Sequence, residues 1–113
     1  MKTIIAGSRG ITPLQTVINA VKASGFTVTE VVSGAARGVD QLGEQYGKQA
    51  GIPVKRFPAE WDKYGKSAGY RRNEDMADYA DALIAVWDGT SKGTKHMIDT
   101  AHAKGLTVYV LRY

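Results

Sequence analysis

Apolar runs of about five residues alternate along this chain with stretches whose apolar residues recur every three or four positions. "KTIIA" (Lys2 to Ala6) reads as a first buried strand. A helix is expected next, with Thr12 as N-cap, Pro13 at the first helical position and Gln15 completing a capping-box spacing. Leu14, Val17, Ile18 and Val21 form its core face and Gly25 ends it. A second strand is expected around Val28 to Ser33. A second helix should run from Val39 to about Ala50, with Val39, Leu42 and Tyr46 inward and Gly51 as its stop. "PVKRF" (Pro53 to Phe57) is a short third strand, placed near an edge because it begins with Pro. "PAEWDKYGKSAGY" is polar and aromatic with two glycines and reads as a long surface loop, before a helix from Arg71 to Ala80. "ALIAVW" (Ala82 to Trp87) is apolar throughout, as a central parallel strand would be. Thr94, Met97, Ile98 and Ala101 mark the core face of a further helix, Gly105 ends it, and "TVYVL" (Thr107 to Leu111) is the last strand.

Strands alternating with helices predict an α/β fold, an open and mainly parallel five-stranded sheet with helices on both faces. Such sheets bind ligands outside the carboxyl ends of their strands, near a topological switch point. The segments after strands one, two and four are "GSRG", "SGAARGVD" and "WDGTSKGT", all of them small-residue turns leading into helix-like patterns. Small residues there let a ligand approach the backbone, and the free N–H groups of a helix N-terminus attract anions. Ser8 and Arg9, Ser33 and Gly34 with Arg37, and Ser91, Gly93 and Thr94 are the groups these turns offer. Arg37 suits a bidentate contact to phosphate or carboxylate.

Composition narrows the partners. At 113 residues one domain is expected, with an ordinary 43% hydrophobic and 23% charged content. No run approaches the roughly 18 apolar residues of a membrane helix, so no membrane partner is expected. "MKTIIAGSRG" is too short in apolar residues for an export signal, which needs about 7–15. With no cysteine in the chain, a cytoplasmic location is expected. Fifteen Lys and Arg against eleven Asp and Glu give +4, a modest excess that suits a phosphate-bearing partner.

The turns match no standard nucleotide fingerprint, neither a P-loop nor GxGxxG. His96 and His102 lack a metal-ligand spacing and read as helix-surface residues, so no metal and no cofactor is expected. Asp40 is read as a helix cap or a partner of Arg37 rather than a base, and Asp88 as an acceptor for a ribose hydroxyl. Trp61 and Tyr64, among Lys63 and Lys66, are either a base-stacking lid or rings that hold the loop to the body. Arg71, Arg72 and Asn73 stand at the expected start of a helix, where cations work against the dipole, so they answer to something else.

Together "GSR", "VSGAARGVD", "AEWDKYGKSAGYRRNEDM" and "ADALIAVWDGTSKGT" resemble the YspA-type branch of the SLOG superfamily, from Ile4 to Val110. That superfamily also holds the cytokinin-activating LOG proteins and the DNA-processing protein DprA. The resemblance implies a Rossmann-like three-layer domain, commonly dimeric or larger, with a pocket for nucleotides or nucleotide-derived ligands. LOG proteins cleave the N-glycosidic bond of nucleoside monophosphates with an Arg and a Glu. "RRNEDM" aligns Arg72 with that Arg, and "GTSKGTKHM" aligns Gly93-Thr94 with the family's GT pair, but Met97 stands where LOG has its Glu. A thioether cannot act as that carboxylate does. "ARGVD" (Ala36 to Asp40) is similar to the DprA turn, which makes single-stranded DNA a weaker alternative partner.

The expectation is therefore a binder of a phosphorylated nucleotide or nucleotide-derived, ADP-ribose-like ligand, acting in sensing or sequestration without LOG-type turnover. Its ligand-binding set is Gly7, Ser8, Arg9, Ser33, Gly34, Arg37, Gly38, Asp40, Trp61, Arg71, Arg72, Asn73, Asp88, Ser91, Gly93 and Thr94. The alternatives are a glycosidic hydrolase with a substituted carboxylate and a DprA-like binder of single-stranded DNA.

Overall fold

A computed structural model describes residues 1–11 and 13–113. Five strands, β1 (Lys2–Gly7), β2 (Glu30–Ser33), β3 (Val54–Arg56), β4 (Ala82–Trp87) and β5 (Thr107–Arg112), form one sheet in the order β3-β2-β1-β4-β5. Every neighbouring pair is parallel. The chain moves outward from β1 to β3, then returns to the other side of β1 for β4 and β5. The order therefore reverses between β1 and β4, and their carboxyl ends define the crevice where such sheets take ligands.

Two apolar layers flank the sheet. Alternate residues of each strand point to opposite faces. Ile4, Ala6, Val32, Leu83 and Ala85 meet Met76, Met97 and Ala101 on one face. Ile5, Val31, Ile84 and Val86 meet Val17, Val21, Val39 and Leu42 on the other. The first group comes from α4 (Ala68–Tyr79) and α5 (Lys92–Ala103), the second from α1 (Leu14–Ser24) and α2 (Val39–Ala50). Helix α2 lies unusually close to the sheet because Gly43 and Gly47 face it: a Cβ at Gly43 would stand 2.9 Å from the Ile5 side chain.

Three expectations needed correction. The segment read as a long surface loop contains a one-turn helix α3 (Trp61–Tyr64), a 3-10 turn (Gly65–Ser67) and the start of α4. Ala68, only 1% exposed, anchors that start in the core, and Gly65, with φ of 58°, breaks the chain direction before it. Arg71, Arg72 and Asn73 thus sit in the second turn of α4, past the N-terminal dipole end. Pro13 is the N-cap of α1 rather than its first helical residue, and Gln15 donates to Asn19 Oδ1 at 2.8 Å. The Thr12 cap lies outside the described residues.

At the crevice, Gly7 is a packing necessity. A Cβ there would lie 2.1 Å from the Val86 carbonyl oxygen and 2.8 Å from Val39 Cγ2. Backbone oxygen cannot step aside as a flexible side chain can, so Gly7→Ala should cost about 3 kcal/mol or more, read as a lowered midpoint in urea denaturation. A variant of wild-type stability would contradict this packing.

Candidate functional site

Where β1 and β4 part, a cleft of about 500 Å³ opens above their carboxyl ends. Gly7, Ser8 and Arg9 line it from the first turn, and Asp88, Ser91, Gly93 and Thr94 from the turn after β4. Asp40 contributes from α2, Trp61 from α3, and Arg72 and Asn73 from α4. Gly34 and Arg37 line a smaller adjoining cleft. Gly38, φ 76°, caps α2 at a point where a Cβ would lie 2.5 Å from the Ser8 carbonyl oxygen, so it joins two of the turns rather than facing the cleft.

Ser33 and Arg71 line neither cleft. The Ser33 hydroxyl is fully buried and donates to Glu44 Oε2 at 2.7 Å, while accepting from the Ala35 N–H at 3.0 Å. Arg71 lies over the Tyr64 ring, 4.4 Å from its centroid, and donates to Ser67 Oγ. Tyr64 therefore packs locally, whereas Trp61 is 51% exposed at the rim of both clefts. The cleft also takes Lys66, Gly69 and Tyr70, which reading the segment as a loop concealed. The Tyr70 ring covers His96, with centroids 4.3 Å apart, so His96 is half-buried under a neighbour.

The turn after β4 is ordered by the Asp88 carboxylate. Asp88 Oδ1 accepts from the N–H groups of Thr90 and Ser91, both at 2.8 Å, and these bonds hold its carboxyl below the usual range. Ser8 Oγ accepts from the Asp88 N–H at 3.1 Å, tying the two turns together. Ser91 caps α5: its Oγ accepts from the Thr94 N–H at 3.4 Å and lies 3.1 Å from Thr94 Oγ1. The serine carbonyl takes the Lys95 N–H. The N–H groups of Lys92 and Gly93 are left for a ligand or water at the positive end of a three-turn helix.

Opposite stands a polar chain built from α4. The Arg72 guanidinium donates to the Gly34 carbonyl and, through Nε, to Asn73 Oδ1 at 3.0 Å. Asn73 Nδ2 in turn lies 3.4 Å from the Gly93 carbonyl and 3.1 Å from His96 Nδ1. Burial lowers the Arg72 pKa, Asp40 opposes that, and the nearby Arg9 adds to it; the guanidinium stays charged. Gly34 makes the arrangement feasible, because a Cβ there would fall 2.7 Å from both Arg72 Nη1 and Asp40 Oδ2. Asp40 is 5% exposed, accepts from the Ala36 N–H at 3.3 Å, and has its pKa pushed up to about 6 by burial against the pull of Arg72. Glu44 adds a small push in the same direction.

A parallel sheet in this strand order, with its cleft at the reversal between β1 and β4, makes this a Rossmann-like α/β protein. Residues 1–64 match the YspA, cpYpsA-related SLOG family, and the chain belongs to that family. The Gene 61 protein of Mycobacterium phage D29 is 36% identical over an 84-residue alignment that covers 69% of this chain and 67% of that protein. Among solved structures, DNA processing protein A (DprA) from Streptococcus pneumoniae superposes with a TM-score of 0.76 at 18% identity. That match covers 96% of this chain and 49% of DprA, so the chain spans about half of its neighbour's length and shares its fold.

The crowding at Gly34 and the burial of Asp40 can each be tested by substitution. Gly34→Ala should displace Arg72 or Asp40 and cost about 1–3 kcal/mol, whereas Gly93, where a Cβ would meet nothing within 4 Å, should accept Ala with unchanged or slightly raised stability. Paired thermal melts read both, and equal losses would contradict the close approach at Gly34. Asp40, raised from 3.8 to about 6, adds stability that is fully present below about 3.8 and lost as pH rises through about 6. That component amounts to about 3 kcal/mol at most, and Asp40→Asn should lack it when urea midpoints are compared from pH 4 to 7.5. Parallel pH profiles for the two proteins would refute the shift.

Proposed function

We propose that the main cleft binds a phosphorylated nucleotide or nucleotide-derived ligand of the ADP-ribose type, for sensing or sequestration. The observation that carries this reading is the placement of the α5 N-terminus and the Arg72 guanidinium on the walls of one cleft. The phosphate would sit at Gly93, since the free N–H groups and dipole of the α5 N-terminus favour an anion there, with the Ser8 hydroxyl beside it as a further donor. Arg72 would provide a charge-assisted contact from the opposite wall. Trp61, half-exposed at the rim, offers a face on which a base can stack. Asp88, with only Oδ1 engaged by its own turn, would accept from a ribose hydroxyl.

LOG-type turnover is not part of this reading. Met97 is 1% exposed and, packed in the core layer, forms part of the cleft's floor, where its thioether supplies no proton-transferring group. One observation favours a second reading, hydrolysis of a nucleotide glycosidic bond with a substituted carboxylate. Asp40 lines the cleft near Arg72 with a pKa near neutrality, which suits a general acid or base. Release of free base from nucleoside monophosphates, lost in Asp40→Asn, would support it. No free base after prolonged incubation would remove it.

Calorimetry against AMP, ADP, ADP-ribose and a single-stranded oligonucleotide tests the binding reading. The nucleotides should bind, and Arg72→Met should weaken them about tenfold or more, the value of a charged hydrogen bond at about 1.5–3 kcal/mol. Absence of heat from every nucleotide, or undiminished affinity in Arg72→Met, would overturn it. The oligonucleotide serves as the competitor that the DNA-processing neighbour suggests.

A further inference from the structure

Adjoining the main cleft, and sharing Arg9, Ala36, Trp61 and Arg72 with it, is a smaller one of about 300 Å³. Arg9, Arg37 and Arg72 line it, together with Pro58 and the turn from Gly34 to Ala36. Asp40 and Asp88 face the main cleft, but among the described residues no carboxylate lines the smaller one. Nor does Arg9 or Arg37 take part in an ion pair among those residues. Arg9 lies close enough to Arg72 to repel it. Of the three guanidiniums only Arg72 has a carboxylate beside it, Asp40, so Arg9 and Arg37 leave the concavity with a positive potential that an anion would relieve.

Arg9, Trp61 and Arg72 belong to both clefts, whereas Arg37 belongs to the smaller one alone. One phosphate at the α5 N-terminus therefore leaves the second basic wall uncompensated. We propose that the smaller cleft is a second anion subsite, so that the preferred ligand is a nucleotide with two phosphoryl groups separated by its sugar. Arg72, between the two clefts, faces both anions, and Arg37 with Arg9 closes on the second. This rests on the nucleotide reading of the main cleft and narrows it, from ligands with adjacent phosphates such as ADP-ribose to those with phosphates on two positions of one sugar. Two sources share the chemistry, a mononucleotide bisphosphate and successive phosphates of a single strand. A concavity of about 300 Å³ has room for a phosphate from either, and the experiment distinguishes them.

The test compares dissociation constants for AMP, adenosine 3′,5′-bisphosphate and a short single-stranded oligodeoxyadenylate at low salt. In the wild type the bisphosphate should bind about tenfold tighter than AMP, the worth of one added charge-assisted contact. Arg37→Ala should bring that ratio close to one. Lys48→Ala, which removes an exposed charge in the last turn of α2, should leave the ratio in place and so control for net charge. An oligonucleotide that outbinds the bisphosphate with the same Arg37 dependence would support the subsite and assign it to a strand. AMP and bisphosphate binding equally, or a ratio that survives Arg37→Ala, would overturn the subsite while leaving the main cleft's reading standing. No binding by any of the three would overturn both.

Discussion

Arg72 is held to the carbonyl of Gly34, 38 residues away in the chain, and the shape of the cleft depends on that bond. It ties α4, a helix on one face of the sheet, to the turn that leaves β2. The same guanidinium orients Asn73, which reaches the Gly93 carbonyl and His96 on α5. Two helices and one turn thereby converge on the β1–β4 gap. The arrangement needs Gly34, because only a residue without a side chain lets the guanidinium and the Asp40 carboxylate approach the backbone together. Charge is thus brought into a partly dry site by geometry that the neighbouring backbone permits.

The same constraint explains why Asp40 sits so far from its ordinary behaviour. Burial disfavours its charge and Arg72 favours it, and burial wins. A carboxyl near neutrality beside a guanidinium would respond to any anion placed in the cleft, since an added negative charge raises an acid's pKa further. Anion binding there would be linked to protonation, so affinity for the proposed ligand measured on the two sides of pH 6 would report on Asp40 itself. The turn after β4 works differently. There Asp88 stays ionised, because two N–H groups of its own turn stabilise its negative charge, and those bonds shape the entry to α5.

Much of the fold was legible in the residues. The apolar run Ala82 to Trp87 predicted a central strand, and β4 lies between β1 and β5 with five of its six residues buried. The periodicity of Thr94, Met97, Ile98 and Ala101 predicted the inner face of α5, and all four are buried. The segment from Pro58 to Tyr70 misled because its helices bury almost nothing; among Trp61 to Ser67 no residue is buried, so no apolar period marks them. The three turns after β1, β2 and β4 were legible as small-residue segments, yet their separate duties were not. Ser33 looks like a ligand donor in sequence but spends its hydroxyl on Glu44, and Arg71 is drawn to Tyr64 instead of the cleft. Such choices are made by side chains that meet only in three dimensions. The basic wall of Arg9, Arg37 and Arg72 likewise gathers residues from three distant segments.

An amide-resolved NMR titration with AMP bears most directly on the central claim, that an anion binds where the β4–α5 turn meets the β1 turn. Lys92 and Gly93, whose N–H groups are free at the α5 N-terminus, and Ser8 and Ser91, which line the cleft beside them, should show the largest and saturable shifts. Shifts confined to the opposite end of the sheet, around Gly25 and Gly105, or no saturable change at millimolar AMP, would contradict the account.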